Sequence, residues 1–334
     1  MCAQDTRTGV TSQETAARMV VTGASGVIGQ RLCEALVARG VQVVALLRSP
    51  RPGPWGDVLH CDLGRDTLDP TLLHGVDTIF HLAGKAHTRA RTAADVREYE
   101  TVHVTGTRSL MQAARAAGVR CCVLLSSVKA MGEGSAEIQD ENSPCVPETP
   151  YGQTKHAAER IALHELPVPC PVVLRPALVY GAGSKGNLDL MIRAMSKGMF
   201  PRTHFPPNAR SMIHVKDVIQ ACVLAATHKQ AYGGTYILTD GKEYSTNDLL
   251  AWIQDSLGKK SVLTMPFDLL RLAARLGDIV EKFGMRFPLT SDRLDKLAGS
   301  ACYSNAKICR ELGFVPQWDA QRGIQEMVTH LVRP

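Results

Sequence analysis

The sequence of 334 residues contains no uninterrupted apolar run of the roughly 18–20 residues that a membrane-spanning helix requires. It also lacks a dense block of lysine and arginine, and its net charge of +6 and aromatic content of 5% do not favour a nucleic-acid-binding surface. The segment from Met1 to about Ala16 is polar and has no apolar core of the signal-peptide type. We expect residues 1–16 to form a flexible N-terminal tail.

The ten cysteines include no Cys-x-x-Cys pair, and Cys121 and Cys122 stand together inside an apolar, strand-like run. Cysteines used in this way act as small hydrophobic residues in a reducing compartment, which argues against a disulfide or zinc scaffold. The sequence therefore predicts a cytoplasmic protein without a metal site. Its length and its 45% apolar content fit one large globular domain or two closely joined ones.

Three glycines lie between a short buried strand at residues 17–22 and a helix, and a second strand follows at residues 41–47. Gly23 permits a tight bend, Gly26 lets backbone N–H groups approach a pyrophosphate, and Gly29 lets the helix pack on the strand. A tight turn with packing glycines is the alternative, but the flanking strand and helix favour a dinucleotide site. The predicted contacts in this turn are Gly23, Ser25, Gly26, Val27, Ile28 and Gly29.

The end of the second strand bears on the choice between NAD and NADP. An NAD site usually has an acidic residue there, which binds the ribose 2′-hydroxyl. Leu47 occupies that place, and Arg48 follows it. A guanidinium can pair with a 2′-phosphate, so NADP is favoured over NAD. The alternative is that Arg48 is an ordinary exposed residue at the end of a strand.

Further strands alternate with helices along the chain. The pattern predicts strands at residues 58–63, 77–84 and 121–125, with a long amphipathic helix at about 94–117. This alternation indicates a parallel, doubly wound α/β sheet of the Rossmann type, in which ligands bind beyond the carboxyl ends of the strands. The predicted cofactor contacts at those ends are Asp62, Leu63, Leu82, Ala83, Gly84 and Ser126.

Tyr151 and Lys155 lie one helical turn apart at the start of a predicted helix over residues 151–165. Residues four apart share a face of the helix, so the phenol and the ammonium can act on one small volume. A fixed positive charge favours the phenolate, so we expect Lys155 to lower the pKa of Tyr151 toward the range useful for proton transfer. A half-buried helix with a surface lysine is the alternative if the pair is taken alone.

Taken together, Thr22-Gly23-x-x-Gly26-x-x-Gly29, Ser127 and Tyr151-x-x-x-Lys155 resemble the extended short-chain dehydrogenase/reductase family, which contains nucleotide-sugar epimerases, dehydratases and reductases. The resemblance covers roughly residues 17–325. Further matching segments are Asp62-Leu63, His81-Leu-Ala83, Leu174-Arg-Pro176, Val179-Tyr-Gly181 and Arg210-Ser-Met-Ile-His-Val-x-Asp217.

The resemblance implies a role for each matched residue. Tyr151 would be the acid/base, Lys155 would bind the nicotinamide ribose, and Ser127 would hydrogen-bond the reacting oxygen. Arg210 would grip the pyrophosphate of a nucleotide substrate, with a surface arginine as the alternative. Asn187 would contact the substrate nucleotide or, equally, form the N-cap of a helix.

Two departures from the family pattern bear on function. His103 stands where the family often has asparagine, and we expect it to be a structural histidine. Val128-Lys129 replaces the acidic pair of dehydratases, so that activity is disfavoured. Residues 126–133 are similar to a bacterial subgroup acting at C4 of UDP-N-acetylhexosamines, which adds Lys129 to the predicted substrate contacts beside Ser127, Asn187 and Arg210.

The sequence thus predicts an NADPH-dependent 4-ketoreductase of a UDP-linked (N-acetyl)hexosamine in surface polysaccharide biosynthesis. The alternative is a UDP-sugar 4-epimerase with tightly bound NAD, and a non-catalytic dinucleotide-binding regulator is a third reading. Residues 17–183, with returns at about 211–239, would bind the dinucleotide, and residues 184–210 and 240–330 would form a smaller mixed α/β substrate lobe. A homodimer through the helices at 94–117 and 151–165 is expected from the resemblance.

Overall fold

The computed structural model describes residues 17–85, 92–184, 186–201, 203–258, 265–282 and 289–332. The predicted tail at residues 1–16 lies outside them. The strands are β1 (Arg18–Thr22), β2 (Gln42–Leu47), β3 (Asp57–His60), β4 (Val76–His81), β5 (Cys121–Leu125), β6 (Cys170–Pro176), β7 (Leu178–Tyr180), β8 (Arg210–His214), β9 (Thr235–Leu238) and β10 (Glu243–Tyr244).

The helices alternate with these strands over the first half of the chain and dominate its second half. They are α1 (Val27–Val37), α2 (Ala93–Tyr99), α3 (Gly106–Ala116), α4 (Pro150–Arg160), α5 (Asn187–Ser196), α6 (Val215–Thr227), α7 (Thr246–Leu257), α8 (Phe267–Lys282), α9 (Ser291–Ala298), α10 (Ala306–Leu312) and α11 (Ala320–Val332). Within the described residues, none of these helices combines the length and apolar character needed to cross a membrane.

Seven strands form one parallel sheet in the order β3-β2-β1-β4-β5-β6-β9. All five residues of β5 are buried, as expected for a parallel strand covered on both faces. One face carries α1 and α6 and the other carries α3, and their Leu32, Val218 and Leu110 side chains are fully buried. The predicted doubly wound Rossmann sheet is therefore confirmed.

The edge strand β3 is shorter than the prediction of residues 58–63. It ends at His60, because the chain turns at Asp62. The backbone N–H of Asp62 donates to the Asp66 carboxylate over 2.7 Å, and the backbone N–H groups of Arg65 and Asp66 both donate to the Asp62 carbonyl. A turn closed in this way cannot continue the sheet ladder.

The predicted helix at 94–117 is confirmed, but it contains a wider π-helical turn at Glu100–Thr105 between α2 and α3. A second π-helical turn, Ile161–Glu165, extends α4. Such turns displace side chains from the regular helical positions and often occur at functional sites. The first of them carries His103.

A second sheet, in the order β10-β8-β7, lies in the smaller part of the molecule. Around it, side chains of α5, α7, α8, α9 and α11 share one apolar cluster, which includes Ile192, Ile253, Leu270, Leu294 and Ile324. The assignment of residues 184–210 and 240–330 to substrate binding stays a prediction.

Candidate active site

The turn between β1 and α1 is built around close backbone contacts. Gly23 has φ +67°, and a Cβ added there would lie 2.7 Å from the backbone of Leu82 and Ala83. A Cβ at Gly29 would lie 2.3 Å from the carbonyl oxygen of Gly23, so the start of α1 can pack on the turn only with glycine. These contacts agree with the packing roles predicted for Gly23 and Gly29.

The N-terminus of α1 follows directly on this turn. Gly26 is the exposed N-cap residue, and the flanking Ser25, Val27 and Ile28 are half-buried. In this fully described stretch, no side chain caps the helix and no acidic residue occupies its first turn. The first N–H groups of the helix thus meet no competing carboxylate from that turn and fit the pyrophosphate of a dinucleotide.

The carboxyl end of β4 connects the glycine turn to the predicted catalytic lysine. The backbone N–H of Ala83 donates to Thr22 Oγ1 over 3.0 Å, which ties the ends of β4 and β1 together. A Cβ built at Gly84 would lie 3.7 Å from Lys155 Nζ. The structure therefore brings Lys155 to the strand end that touches the glycine turn.

Ser127 and Tyr151 meet because α4 packs closely on the short turn Val128–Ala130. A Cβ at Gly152 would lie 2.3 Å from the carbonyl oxygen of Lys129, so only glycine allows this approach. The hydroxyl of Ser127 lies close enough to Tyr151 to act on its pKa. The structure thus brings together Ser127, Tyr151 and Lys155, whose catalytic roles stay predictions.

The predicted lowering of the pKa of Tyr151 is wrong for this structure. Burial raises the pKa of Tyr151 to about 12, although the neighbouring hydroxyl of Ser127 acts to lower it. Lys155 Nζ instead donates to the carbonyl oxygen of Leu125 over 2.8 Å. Burial lowers the pKa of Lys155 to about 8, against the opposite effect of Glu159. The phenol of Tyr151 therefore keeps its proton at neutral pH.

His103 is buried and structural, as predicted, and it contacts two parts of the site. Its Nδ1 lies 2.9 Å from Thr154 Oγ1, and its Nε2 accepts the backbone N–H of Lys85 over 3.1 Å. The ring of Tyr151 meets it edge-on, with centroids 5.6 Å apart. Sequence reasoning missed these partners, since they lie 18 to 51 residues away along the chain.

A buried ion pair beneath the site was also missed. The guanidinium of Arg175 donates to both carboxylate oxygens of Glu159, over 2.9 and 2.6 Å. Ser126, predicted to lie at the cofactor, is buried and donates its hydroxyl to Glu159 over 2.5 Å. Glu159 follows Lys155 by one helical turn, so its place on the same buried face was a signal available in the sequence.

The predicted contacts with the adenosine end of the cofactor lie at the ends of β2 and β3. Arg48 is exposed directly after the buried Leu47. Asp62 is half-buried and accepts from Arg65 over 3.1 Å, and Leu63 is buried beside it. Their roles in cofactor binding stay predictions.

Two predicted substrate contacts lie at the start of helical segments. Lys129 Nζ donates to the Glu133 carboxylate over 2.8 Å and to the Glu133 carbonyl over 3.0 Å. Asn187 is the exposed first residue of α5 and Gly186 is its N-cap, so the alternative N-cap role of Asn187 is wrong. The substrate contacts of Lys129 and Asn187 stay predictions.

Arg210 opens β8 and holds the end of α9, so the alternative of a surface arginine is wrong. Its guanidinium donates to the carbonyl oxygens of Lys296, Leu297 and Gly299 over 2.6, 3.1 and 2.7 Å. Its Nε is buried without a hydrogen-bond partner among the described residues. Contact with a substrate pyrophosphate stays a prediction. Across the same described residues, no cluster of three or more His, Cys, Asp or Glu could hold a metal ion.

Comparison with known proteins shows what the whole chain is similar to. The model of the NAD dependent epimerase/dehydratase family matches residues 19–238. The 4-hydroxy-2-methyl-3-oxo-4-farnesyl-3,4-dihydroquinoline-1-oxide ketoreductase of Stigmatella aurantiaca is 31% identical over 93% of this chain and 95% of its own. The UDP-glucose 4-epimerase of Vibrio cholerae is 26% identical over 92% of this chain and 93% of its own. The structure of MoeE5 in complex with UDP-glucose and NAD is 25% identical, with a TM-score of 0.75 over 94% of this chain and 98% of MoeE5.

Proposed function

Because the chain belongs to the NAD dependent epimerase/dehydratase family, we propose that it is a ketoreductase that reduces the 4-keto group of a UDP-linked (N-acetyl)hexosamine. The prediction of an NAD-dependent enzyme of the epimerase/reductase type is confirmed by this membership. The observation that carries the proposal is geometric: α4 brings Tyr151 against the turn that follows Ser127, and Lys155, one helical turn later, reaches Gly84 beside the glycine turn. In ketone reduction Tyr151 would be the acid that protonates the forming alkoxide.

The chain's own residues supply the proton and the stabilisation of charge. The bound nicotinamide supplies the hydride. Tyr151 donates its phenolic proton to the ketone oxygen as that oxygen becomes an alkoxide, and Ser127 donates a second hydrogen bond to the same oxygen. Lys155, anchored on the Leu125 carbonyl, holds a positive charge close to Gly84 and hence close to the cofactor turn. There Lys155 would bind the nicotinamide ribose, the role that the family resemblance implies for it.

NADPH is the proposed cofactor. Arg48 is exposed directly after β2, at the strand end where an NAD site would carry a carboxylate. A guanidinium there can pair with the 2′-phosphate through charge-assisted hydrogen bonds. A reductase that consumes NADPH stoichiometrically fits this feature.

A UDP-linked sugar is the proposed substrate, on two grounds. The Vibrio cholerae relative is named for UDP-glucose, and the MoeE5 structure contains UDP-glucose. The segment at residues 126–133 is similar to the subgroup acting at C4 of UDP-N-acetylhexosamines. Lys129, Asn187 and Arg210 would contact this substrate. The enzyme would work as a homodimer in the cytoplasm, in the biosynthesis of a surface polysaccharide.

The second candidate function is a UDP-sugar 4-epimerase with tightly bound NAD. The Vibrio cholerae relative, an epimerase by name, favours it. The two functions differ in their use of cofactor, since an epimerase returns the hydride to the same sugar and consumes none.

The test is to mix the purified protein with a panel of UDP-4-keto-hexosamines and UDP-hexoses and to follow NADPH absorbance. A ketoreductase oxidises one NADPH for each 4-keto sugar consumed. Interconversion of the 4-hydroxyl epimers without any change in NADPH absorbance would replace the reductase with the epimerase.

A further inference from the structure

Two buried aromatic rings on one helical segment lie against the ring of Tyr151. Tyr99 ends α2 and is 2% exposed, and His103, in the π-helical turn that follows, is 1% exposed. Their ring centroids are 5.5 Å apart and their planes differ by 23°, so the two rings are stacked. We call Tyr99 and His103 the stacked pair. Because they lie four residues apart, the helical segment presents both rings to the same neighbour.

Tyr151 meets both rings of the stacked pair in edge-to-face geometry. Its ring centroid lies 5.8 Å from that of Tyr99 and 5.6 Å from that of His103, at interplanar angles of 67° and 77°. Both distances fall within the range of about 4.5–7 Å over which aromatic rings attract each other in this geometry. The three centroids thus form a nearly equilateral triangle. A turn of the Tyr151 ring about its side-chain torsions would lose these contacts.

The stacked pair is itself held in place on two sides. The backbone N–H of Lys85 donates to Nε2 of His103 over 3.1 Å, and the Lys85 ammonium lies 5.8 Å from the centroid of the Tyr99 ring. This ammonium donates in turn to the Glu98 carboxylate over 3.0 Å. Nδ1 of His103 lies 2.9 Å from the hydroxyl oxygen of Thr154 in α4. The pair is therefore fixed both to the end of β4 and to the helix that it supports.

The orientation of the Tyr151 ring matters for the proposed reaction. The torsion of a tyrosine ring about its Cβ–Cγ bond has broad minima, so the side chain does not fix this orientation by itself. The phenolic O–H lies near the plane of the ring, and the orientation of the ring therefore sets the direction in which the proton is offered. A displacement of about 1 Å at a reacting group can lower a rate about 100-fold.

We propose that Tyr99 is a positioning residue for Tyr151. Together with His103, its ring holds the phenol of Tyr151 in the one orientation from which the proton reaches the ketone oxygen. His103 stands where the family often has asparagine, and an asparagine side chain has no aromatic face that could stack on Tyr99. This inference rests on the proposed function, because the orientation of the phenol affects turnover only if Tyr151 transfers a proton.

The first test compares Tyr99→Leu, which removes the aromatic face, with Tyr99→Phe, which keeps it. The substrate is the 4-keto sugar that the parent protein reduces. Tyr99→Leu should lower kcat about 10–100-fold and change the KM for this sugar and the Kd for NADPH less than about threefold, because the proton donor is displaced and the binding groups are not. Tyr99→Phe should recover kcat to within about fivefold of the parent value.

Tyr236→Leu is the matched control, because it removes an equally buried ring outside the site. Tyr236 is 1% exposed in β9, and its hydroxyl contacts the Gln230 carbonyl and the Glu311 carboxylate, each over 3.0 Å. This variant should keep the parent kcat. A loss of kcat in Tyr236→Leu as large as that in Tyr99→Leu would overturn the proposal, since Tyr99 would then act through stability alone.

The second test does not require turnover. Crystal structures of the parent protein and of Tyr99→Leu are compared at the side chain of Tyr151. We expect one conformation in the parent protein and, in the variant, either two conformations or a hydroxyl oxygen displaced by about 1 Å or more. A Tyr151 side chain that superposes on that of the parent would overturn the proposal. If Tyr99→Leu does not fold, His103→Asn takes its place in both tests, because it also breaks the stacked pair.

The two tests separate this inference from the proposed function. A parent protein that reduces no 4-keto sugar would contradict the proposed function, and the crystal structures would still decide whether the stacked pair orients Tyr151. An active parent protein with an unchanged kcat in Tyr99→Leu would overturn the positioning role and leave the proposed function standing.

Discussion

The hydroxyl oxygen of Thr154 lies 2.9 Å from Nδ1 of His103. Thr154 is the residue directly before Lys155. The proton positions follow from the partners. The backbone N–H of Lys85 can only donate, so Nε2 of His103 accepts it. Nδ1 of the neutral ring therefore carries the proton and donates to Thr154, whose hydroxyl donates in turn to the Pro150 carbonyl over 2.9 Å. A single imidazole thus joins the end of β4 to the helix of Tyr151.

The first prediction concerns acid stability. Burial, the charge of Lys155 and nearby His81 lower the pKa of His103 from 6.5 to about 3. The unfolded chain takes up this proton below pH 6.5 and the folded chain does not, so stability present above pH 6.5 is lost as pH falls toward 3. In His103→Asn, the slope of the free energy of unfolding against pH should decrease by about 1.4 kcal/mol per pH unit.

The measurement is urea denaturation of both proteins at several pH values between 4 and 7. An absolute loss of stability in His103→Asn is compatible with any structural role, so the slope is the informative quantity. If the plots of the free energy of unfolding against pH were parallel for the two proteins, His103 would take up its proton in the folded state as it does in the unfolded chain. The tautomer argument would then fail.

The second prediction concerns activity at alkaline pH. Burial lowers the pKa of Lys155 to about 8 and raises the pKa of Tyr151 to about 12, so the lysine loses its charge first. For ketone reduction, kcat/KM should fall about tenfold per pH unit above pH 8. In Lys155→Arg the residual activity should keep its value through this range, because a guanidinium stays charged. A parent profile that is flat to pH 9.5 would contradict this assignment.

Much of the fold follows from local patterns. The glycine turn, the apolar run of β5 and the Tyr151 helix each carry a signal within a few residues, and the structure brings Lys155 of that helix to the carboxyl ends of β4 and β5, beside the glycine turn. The sequence pattern extends β3 beyond its observed end, because the turn at Asp62 depends on the side chain of Asp66. A carboxylate that accepts a backbone N–H leaves no mark in apolar periodicity.

The errors at the site have one physical cause, which is that pKa values and charge pairs depend on distant partners. Spacing places Lys155 beside Tyr151, but it does not show that Lys155 donates to a carbonyl 30 residues away or that burial outweighs charge at the phenol. Arg210 is similar, because the carbonyls that it binds lie 86 to 89 residues further along the chain. Such contacts exist only after the chain has folded.

The third prediction concerns the buried pair of Glu159 and Arg175, whose side chains are 3% and 7% exposed. Glu159→Gln should lower the free energy of unfolding by about 3–5 kcal/mol, because it leaves the guanidinium buried without its counter-charge. Glu34→Gln, at an exposed position of α1, is the matched control. Urea denaturation at pH 7 gives the free energy of unfolding of both variants. Equally small losses in Glu159→Gln and Glu34→Gln would show that the buried pair does not stabilise the fold.

The same pair has a pH signature. Burial acts to raise the pKa of Glu159, but the nearby ring of His156, the hydrogen bonds from Arg175 and Ser126 and the Arg175 charge hold it below its ordinary value. Its stabilisation is therefore present above the pKa of an unfolded glutamate, about 4.3, and is lost as pH falls through the lower folded value. Glu159→Gln should lack this loss.

The fourth prediction concerns cofactor choice. Arg48→Ala should raise the KM for NADPH about 10–100-fold and leave the KM for NADH unchanged, because a charge-assisted pair with the 2′-phosphate is removed. Arg51→Ala is the matched control, since Arg51 is also exposed and lies three residues further along. Equal losses with both cofactors in Arg48→Ala would show that it does not read the 2′-phosphate.

The central claim, that Tyr151 supplies the proton in a nicotinamide-dependent ketone reduction, is tested most directly with Tyr151→Phe. NADPH binding is measured by fluorescence titration, and NADPH oxidation is measured with the 4-keto sugar that the parent protein reduces. We expect unchanged NADPH binding and a loss of kcat of about 10²–10⁴-fold. A phenylalanine variant that binds NADPH and retains the parent kcat would contradict the claim.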